Sequence, residues 1–505
     1  MEAMLKSLFR LKSTCQMYKV GSLFFLFYFL FNFASISQNV SLYGYAPSYK
    51  GEEIVFSTFS DLITNTVENI GSCRVDSVGN FSCVLNLNET KEVFTDLGIF
   101  HCIFYAEPNQ RIKINFPEKV EKELKDFLNP YFEPVQFFIG LNDSLDINFN
   151  IKTFDEVYDN YMSTKFLNMY SKPGKADVEF FIHRTEGRFI DSLNQYFNVY
   201  KKYKYASLKN LSYIMDYQRM TFDYFRNNPI CYYNIAYMEL FNSLFENFLA
   251  RHASTAKGEE LKDDIFLGRG ISAIKNTLRK NIEFSNDTLQ ELILLKGLHD
   301  AFFIRNMVQY PTFPENQLHQ VLDSIEILTK IPAHKKIAKN IRAKTKFLAS
   351  GTEAPDFELL NNENEKISLK SLHGKYVYLN FCNTNSRECR EEFELIKQLS
   401  KRYKNLEIIS ISTNSNFNEA VDYFNTNNYK WTLLDFNSEI EVVKKYNVNV
   451  FPTYFLIDKI GLFVLSPAKS PKENIDQLFK RIFKENEALS PNDYDDLFKK
   501  PSPLK

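Results

Sequence analysis

Two cysteines and a serine stand close together late in this chain, within Phe381-Cys382-Asn383-Thr384-Asn385-Ser386-Arg387-Glu388-Cys389-Arg390-Glu391-Glu392. Thiols where a strand meets a helix can carry out disulfide exchange. The free N–H groups and dipole of a helix start stabilise a thiolate, and the thiolate is the attacking species. Three arrangements are open. Ser386 caps the helix and Cys389 is a small buried apolar group; or Cys389 works as a single thiol; or Cys382 pairs with Cys389, which requires Cα atoms within about 7 Å. A serine hydroxyl is neither acidic nor soft enough to replace a thiolate, and no base is visible beside it.

Other chemistry finds little support. The seven histidines (101, 183, 252, 299, 319, 334, 373) are scattered, with no H-E-x-x-H, no C-x-x-C and no helical pair, so no metal is expected. Gly268-Arg269-Gly270 lacks the third glycine and the preceding strand of a dinucleotide loop, and no phosphate cradle or G-x-S-x-G elbow occurs, so no cofactor is expected. Lysine plus arginine is 61 against 62 for aspartate plus glutamate. That balance leaves no broad positive field to hold nucleic acid.

The elements that position Ser386 and the two cysteines alternate strand and helix from 351 to about 485, the pattern of an α/β domain. Tyr376 to Phe381 reads as a buried strand and 387–403 as an amphipathic helix. Strand Leu406 to Ile411, helix 417–427, Trp431, a short helix at 438–446 and strands at 453–458 and 462–466 follow. A last helix starts at the capping box Ser470-Pro471-Lys472-Glu473 and buries Ile475, Leu478, Phe479 and Ile482.

This region resembles thioredoxin-fold domains of the TlpA/ResA (AhpC/TSA) thiol-disulfide oxidoreductase family. Gly351-Thr352-Glu353-Ala354-Pro355-Asp356-Phe357-Glu358-Leu359 matches G-x-x-A-P-D-F-x-L, and Gly374-Lys375-Tyr376-Val377 matches G-K-x-V. Val450-Phe451-Pro452-Thr453 with Phe455-Leu456-Ile457-Asp458 matches V-x-P-T-x-F-L-I-D. In active members C-x-x-C begins the helix: the first thiol attacks and the second resolves the mixed disulfide. This chain has S-x-x-C, with Ser386 at the attacking position, Cys389 at the resolving one and Cys382 in place of a tryptophan. The resemblance therefore implies a degenerate site whose ordinary two-cysteine cycle is lost or altered. It also implies that Pro452 is a cis-proline beside a groove where, with Thr453, an extended peptide could pair main chain to main chain. The competing reading of Pro452 is a turn constraint inherited with the fold. Trp431 is expected in the core.

Residues 39 to about 115 alternate apolar and polar positions between turn signals and predict a small antiparallel β-sandwich. They resemble the β-sandwich that precedes thioredoxin-like domains in Bacteroidota envelope proteins, at Ile70-Gly71 through Asp76, Gly79-Asn80-Phe81 and Ala106-Glu107-Pro108. Cys73 and Cys83 flank an apparent hairpin turn with Gly79 at its positive-φ position. Two buried free thiols are expected there, with a Cys73–Cys83 disulfide as the alternative.

From about 117 to 348 the period is 3.6, with helices near 152–170, 176–226, 230–250, 269–282, 286–307, 314–330 and 334–348. Thr288 with Glu291 forms an expected capping box. Phe222, Tyr224, Phe225, Tyr232 and Tyr233 are assigned to packing rather than to a ligand groove.

At the start, Lys6, Arg10, Lys12 and Lys19 precede an apolar run from Val20 to Ile36 that ends in small residues. This order reads as a secretory signal peptide cleaved after Ser37, with an uncleaved anchor as the rival. The expected organisation is a multidomain α+β chain: signal peptide 1–37, β-sandwich 38–115, helical middle domain 116–348, thioredoxin-fold α/β domain 349–486 and polar tail 487–505. The implied setting is the periplasm or cell envelope, with a protein or peptide partner, and with membrane contact only if the signal stays attached.

Overall fold

The computed structural model describes residues 39–129, 131–140, 146–189, 193–281, 286–303, 313–437 and 439–483. The expected signal peptide and polar tail lie outside them. Alternating burial drives the first unit into two facing sheets. Strands β1 (Asn39–Tyr45), β4 (Asn80–Asn86) and β7 (Arg111–Ile114) form one, in the order β4-β1-β7. The other runs β3-β2-β5-β6-β8, from β2 (Glu53–Phe59), β3 (Val67–Arg74), β5 (Lys91–Leu97), β6 (Phe100–Ala106) and β8 (Val135–Phe138). Val40, Leu42, Phe56, Phe104, Ile112 and Ile114 fill the space between them.

The expectation of a purely antiparallel sandwich needs correction, because β1 pairs with β7 and β6 with β8 in parallel. Strand β8 comes from the stretch expected to be helical. It sits at the edge with mostly exposed side chains, so it pairs by backbone alone and leaves no alternating hydrophobic trace.

The turn between β3 and β4 forms as expected, with the Asp76 carboxylate accepting from the N–H groups of Val78, Gly79 and Asn80 and Gly79 at φ 113°. The two strands nevertheless belong to different sheets. Cys73 and Cys83 are joined in a disulfide with Cα atoms 5.3 Å apart, so the expected pair of free thiols is not what forms. The bond ties one sheet to the other. Replacing both residues by alanine is expected to destabilise this unit by about 2–3 kcal/mol, read as faster amide exchange in β3 and β4.

The middle region is helical: α1 (Leu124–Phe127), α2 (Ile147–Lys165), α3 (Lys172–Glu186), α4 (Gln195–Leu211), α5 (Tyr217–Thr221), α6 (Ile235–Leu244), α7 (Phe248–Ala253), α8 (Glu259–Phe266), α9 (Ile271–Asn281), α10 (Asp287–Phe303), α11 (Glu315–Leu328) and α12 (Pro332–Lys346). The long helix expected over 176–226 is broken, because the Asn194 and Asp216 side chains cap new helix starts by accepting from the Phe197 and Arg219 N–H groups. Helix α8 was not anticipated. Phe225 is fully buried against Tyr203, Tyr237 and Phe241, as the packing assignment requires, whereas Phe222 is exposed.

The expected capping box at Thr288 does not form. Asn286 caps α10, accepting from the N–H groups of Thr288 and Leu289. Glu291 is instead drawn inward, where it accepts from His334 Nδ1 at 2.7 Å, from the Thr329 hydroxyl and from the Lys275 ammonium. Helix α12 in turn clamps the β-sandwich. Asn340 Nδ2 donates to Ser60 Oγ (2.9 Å) and Asp61 Oδ2 (2.7 Å), and Lys336 pairs with Glu68 at 2.7 Å.

The C-terminal sheet runs β10-β9-β13-β12-β11-β14-β15, with β9 (Glu358–Asn361), β10 (Lys366–Ser368), β11 (Tyr376–Cys382), β12 (Leu406–Ser412), β13 (Thr432–Asp435), β14 (Thr453–Ile457) and β15 (Phe463–Ala468). Helices α13 (Arg387–Arg402), α14 (Phe417–Thr426) and α16 (Asp476–Ile482) pack on one face, and α15 (Ile440–Lys445) on the other. The Ser470–Glu473 capping box is present but closes a 3-10 turn, and α16 begins only at Asp476 because Asn474 turns left-handed at φ 66°. Leu124 and Leu128, at α1, pack against the α15 side of this domain.

Candidate functional site

Strand β11 alternates. Val377, Leu379 and Phe381 face the α15 side, while Tyr378 and Cys382 face α13. The chain then turns through Asn383 to Asn385, and this turn is held from the loop just after β12: Asn414 Oδ1 accepts from the Thr384 N–H (2.9 Å), and Asn414 Nδ2 donates to Thr384 Oγ1 (2.7 Å). Ser386 follows as the N-cap of α13, its Oγ accepting from the Cys389 N–H at 3.4 Å and donating to Glu388 Oε2 at 2.9 Å. Glu388 is a poor base. The bond from its own N–H, and then the one from Ser386, hold its carboxyl below the usual range. Ser386 is therefore a cap without an activating partner.

Cys389 is 0% exposed, and its sulfur accepts from the Asn383 N–H at 3.5 Å. Burial pushes its pKa up, and the hydrogen bonds from Asn383 and Ser386 only partly offset that. Cys382 is equally buried, with its thiol directed at the Ile411 carbonyl at 3.6 Å. Burial, and then the neighbouring Cys389, push it well above the ordinary value. Both thiols are free. The site thus places Cys382 and Cys389 in one apolar cluster but neither bonds them nor exposes them.

Three buried polar side chains lie on the same face of the domain. Asn380 stands between Tyr378 and Cys382 on β11, directly opposite Tyr454 of β14, and Glu392 follows Cys389 by one helical turn. Both polar atoms of the Asn380 amide lack a hydrogen-bond partner, while the Tyr454 hydroxyl faces the Glu392 carboxylate. Sequence reasoning passed over Asn380 and Tyr454. The available signal was one amide in the middle of an otherwise apolar strand.

The Phe451–Pro452 peptide bond is cis, and the Thr453 hydroxyl donates to the Val450 carbonyl at 2.6 Å. Beside them opens a cavity of about 520 Å³ whose walls include Phe347, Leu348, Val450, Pro452, Thr453 and Pro467. Cys382, Ser386 and Cys389 are not among its lining residues. Trp431 is in the core, donating from Nε1 to Ser410 Oγ at 2.8 Å. Among the described residues, no group of three or more His, Cys, Asp or Glu side chains is placed to hold a metal ion.

Comparison with known proteins bears on the same region. The model of the AhpC/TSA family matches residues 350–464. Thiol-disulfide oxidoreductase ResA of Bacillus thuringiensis subsp. konkukian is 31% identical over 135 residues, 26% of this chain and 78% of that protein. Thioredoxin-like protein YneN of Bacillus subtilis is 30% identical over 117 residues, 23% of this chain and 69% of its own length. Among solved structures, the thioredoxin domain of a thiol-disulfide oxidoreductase from Bacteroides vulgatus aligns with 26% of this chain and 98% of its own, at 20% identity and a TM-score of 0.25.

Proposed function

This chain belongs, through its C-terminal domain, to the ResA-like thiol-disulfide oxidoreductase family, and from that premise we propose that it is an exported member that has given up two-cysteine exchange and uses the Pro452 groove to bind extended peptides. The observation that carries this reading is at the start of α13. The attacking position holds a serine spent on capping, and the remaining sulfur behind it is fully buried with a raised pKa. A thiol in that state is a poor nucleophile at neutral pH.

The groove is not lined by the sulfurs, and its walls mix apolar side chains (Phe347, Val450, Pro452, Pro467) with polar ones (Asn447, Asn449, Thr453, Glu473) next to a strand end, which suits main-chain pairing with an extended segment. Export is supported by the basic-then-apolar leader at residues 1–37 and by the Cys73–Cys83 disulfide, a bond that persists in oxidising compartments. Among the described residues no helix is long and apolar enough to cross a membrane.

The reading is tested by fluorescence polarisation with a library of fluorescein-labelled, cysteine-free ten-residue peptides and the purified full chain. Saturable binding is expected for a subset with apolar side chains, weakened about tenfold or more by Val450→Asp. If no cysteine-free peptide binds, or if Val450→Asp leaves the affinities unchanged, the groove is not the functional surface.

A further inference from the structure

At one end of the helical region, apolar side chains stand in water. Phe166, Leu167 and Tyr170 lie in the connection between α2 and α3, and Tyr213 lies just past the end of α4. All four are exposed, Leu167 at 86% and Tyr213 at 72%. They form one rim: the ring centroids of Phe166 and Tyr170 are 5.9 Å apart, and those of Tyr170 and Tyr213 are 5.7 Å apart. Exposed apolar residues scattered singly need no explanation, but a contiguous set marks a contact surface.

Two features of this rim oppose local stability. Tyr213 has φ 53°, a left-handed conformation that suits glycine or asparagine past a helix end and not an aromatic residue. Helix α3 opens on Lys172 and Lys175 with no acidic residue in its first turn, although the positive end of the helix dipole favours acids there. Such departures from local preference gather where function requires them. The Lys175 ammonium donates to the Tyr213 carbonyl at 2.8 Å, which joins the basic and aromatic parts into one surface. The neighbouring acids are occupied: Asp177 lies 3.7 Å from Lys165, Glu179 lies 3.6 Å from Lys209, and Asp216 caps α5. Lys165, Lys172, Lys175 and Lys209 outnumber those three acids, so the rim is net positive.

We propose that this rim is a peripheral membrane contact, which seats Phe166, Leu167, Tyr170 and Tyr213 at the headgroup level of a bilayer bearing anionic lipids. Tyrosine has an apolar ring and a polar hydroxyl, and lysine an apolar stem and a charged head. Side chains of that kind settle at the boundary between acyl chains and water. Anionic headgroups supply the negative charge that Lys172 and Lys175 call for. Among the described residues no helix is long and apolar enough to cross a membrane, so the contact is made at the surface. The sequence ties membrane contact to an attached leader, whereas the rim needs none. This inference is independent of the Pro452 groove.

The test is co-sedimentation of residues 38–505, which keep every described residue, with vesicles of pure phosphatidylcholine and with vesicles containing about one-third phosphatidylglycerol. Binding to the anionic vesicles is expected to be about tenfold or more stronger than to the neutral ones and to weaken as salt rises. Leu167→Asp and Lys172→Gln/Lys175→Gln are each expected to weaken it by about tenfold. Tyr213→Gly is expected to weaken it several-fold without lowering the melting temperature, because glycine relieves the left-handed strain. A tyrosine kept only for structure would show the reverse, with a lower melting temperature and unchanged binding, and would count against the proposal. The proposal is overturned if anionic vesicles bind no more protein than neutral ones, or if Leu167→Asp and the lysine double variant bind like the wild type. A wild-type dimer that Leu167→Asp makes monomeric, with no vesicle binding, would overturn it in favour of a second copy of this chain.

Discussion

Ser386→Cys is expected to raise the rate of catalysed disulfide reduction by about 100-fold or more over the wild-type chain, measured by insulin precipitation with dithiothreitol as reductant. The side chain at 386 already sits where an attacking sulfur must sit, because its oxygen accepts from the Cys389 N–H at the first turn of α13. A sulfur there gains that N–H and the positive end of the helix, so its pKa falls below the ordinary thiol value of about 8.5. Residues three apart in a helix come close enough for a disulfide, so Cys389 could resolve the mixed disulfide without leaving its buried position. The Asn383 N–H that now points at the Cys389 sulfur would stabilise the Cys389 thiolate that attacks in that step, which bonds to the sulfur introduced at 386 and releases the substrate's thiolate. A variant that folds but stays at the wild-type rate would place the defect elsewhere, in the replacement of tryptophan by Cys382 or in access to the helix start.

Glu291→Gln is expected to lower the stability of the helical region by about 3–5 kcal/mol, the cost of removing one partner from a buried charged network. Glu291 is almost wholly buried and receives His334, Thr329 and Lys275 at once, while His334 Nε2 is 2.9 Å from the Tyr232 hydroxyl. The amide would keep the shape but lose the charge that makes all three contacts favourable. An exposed pair such as Lys472–Glu391 should cost less than about 1 kcal/mol when broken. Urea unfolding followed by far-ultraviolet circular dichroism reads the loss. Fluorescence of Trp431, the one tryptophan of the chain, reports the C-terminal core and should shift less.

The same residue gives a pH dependence of known sign. Burial alone would raise the Glu291 pKa, but the bonds from His334, Lys275 and Thr329 outweigh it and bring it down from 4.5 to about 2. The stabilisation is fully present above the unfolded-state value and is lost as pH falls from about 4.5 toward 2. In Glu291→Gln that acid-labile part should be missing.

Much of the C-terminal domain was legible in the sequence because its signals are local. The apolar run at Tyr376–Phe381, the amphipathic helix after Ser386 and the Val450–Thr453 turn each carry their structure within a few residues, and β11, α13 and β14 fall on them. The capping role of Ser386 was readable for the same reason, since an N-cap needs only the next turn of helix. What failed depends on partners far away in sequence. Glu291 has the spacing of a capping box, but His334, Thr329 and Lys275 claim its carboxylate from other helices. Cys73 and Cys83 flank a legible turn, yet whether their sulfurs meet depends on how two sheets face each other. Asn380 and Tyr454 become neighbours only through the register of β11 with β14, and no spacing rule connects them.

The central claim is that the sulfurs of this thioredoxin-like domain are not a working redox pair. The most direct measurement is thiol labelling with mass spectrometry on the purified native chain, before and after equilibration across glutathione redox buffers. Cys382 and Cys389 are predicted to stay unlabelled near neutral pH until the protein is unfolded, and to form no disulfide with each other at any poise, while the half-buried Cys231 labels first. Rapid labelling of native Cys389, or a Cys382–Cys389 bond that forms and breaks reversibly, would contradict the account and return the domain to the redox enzymes.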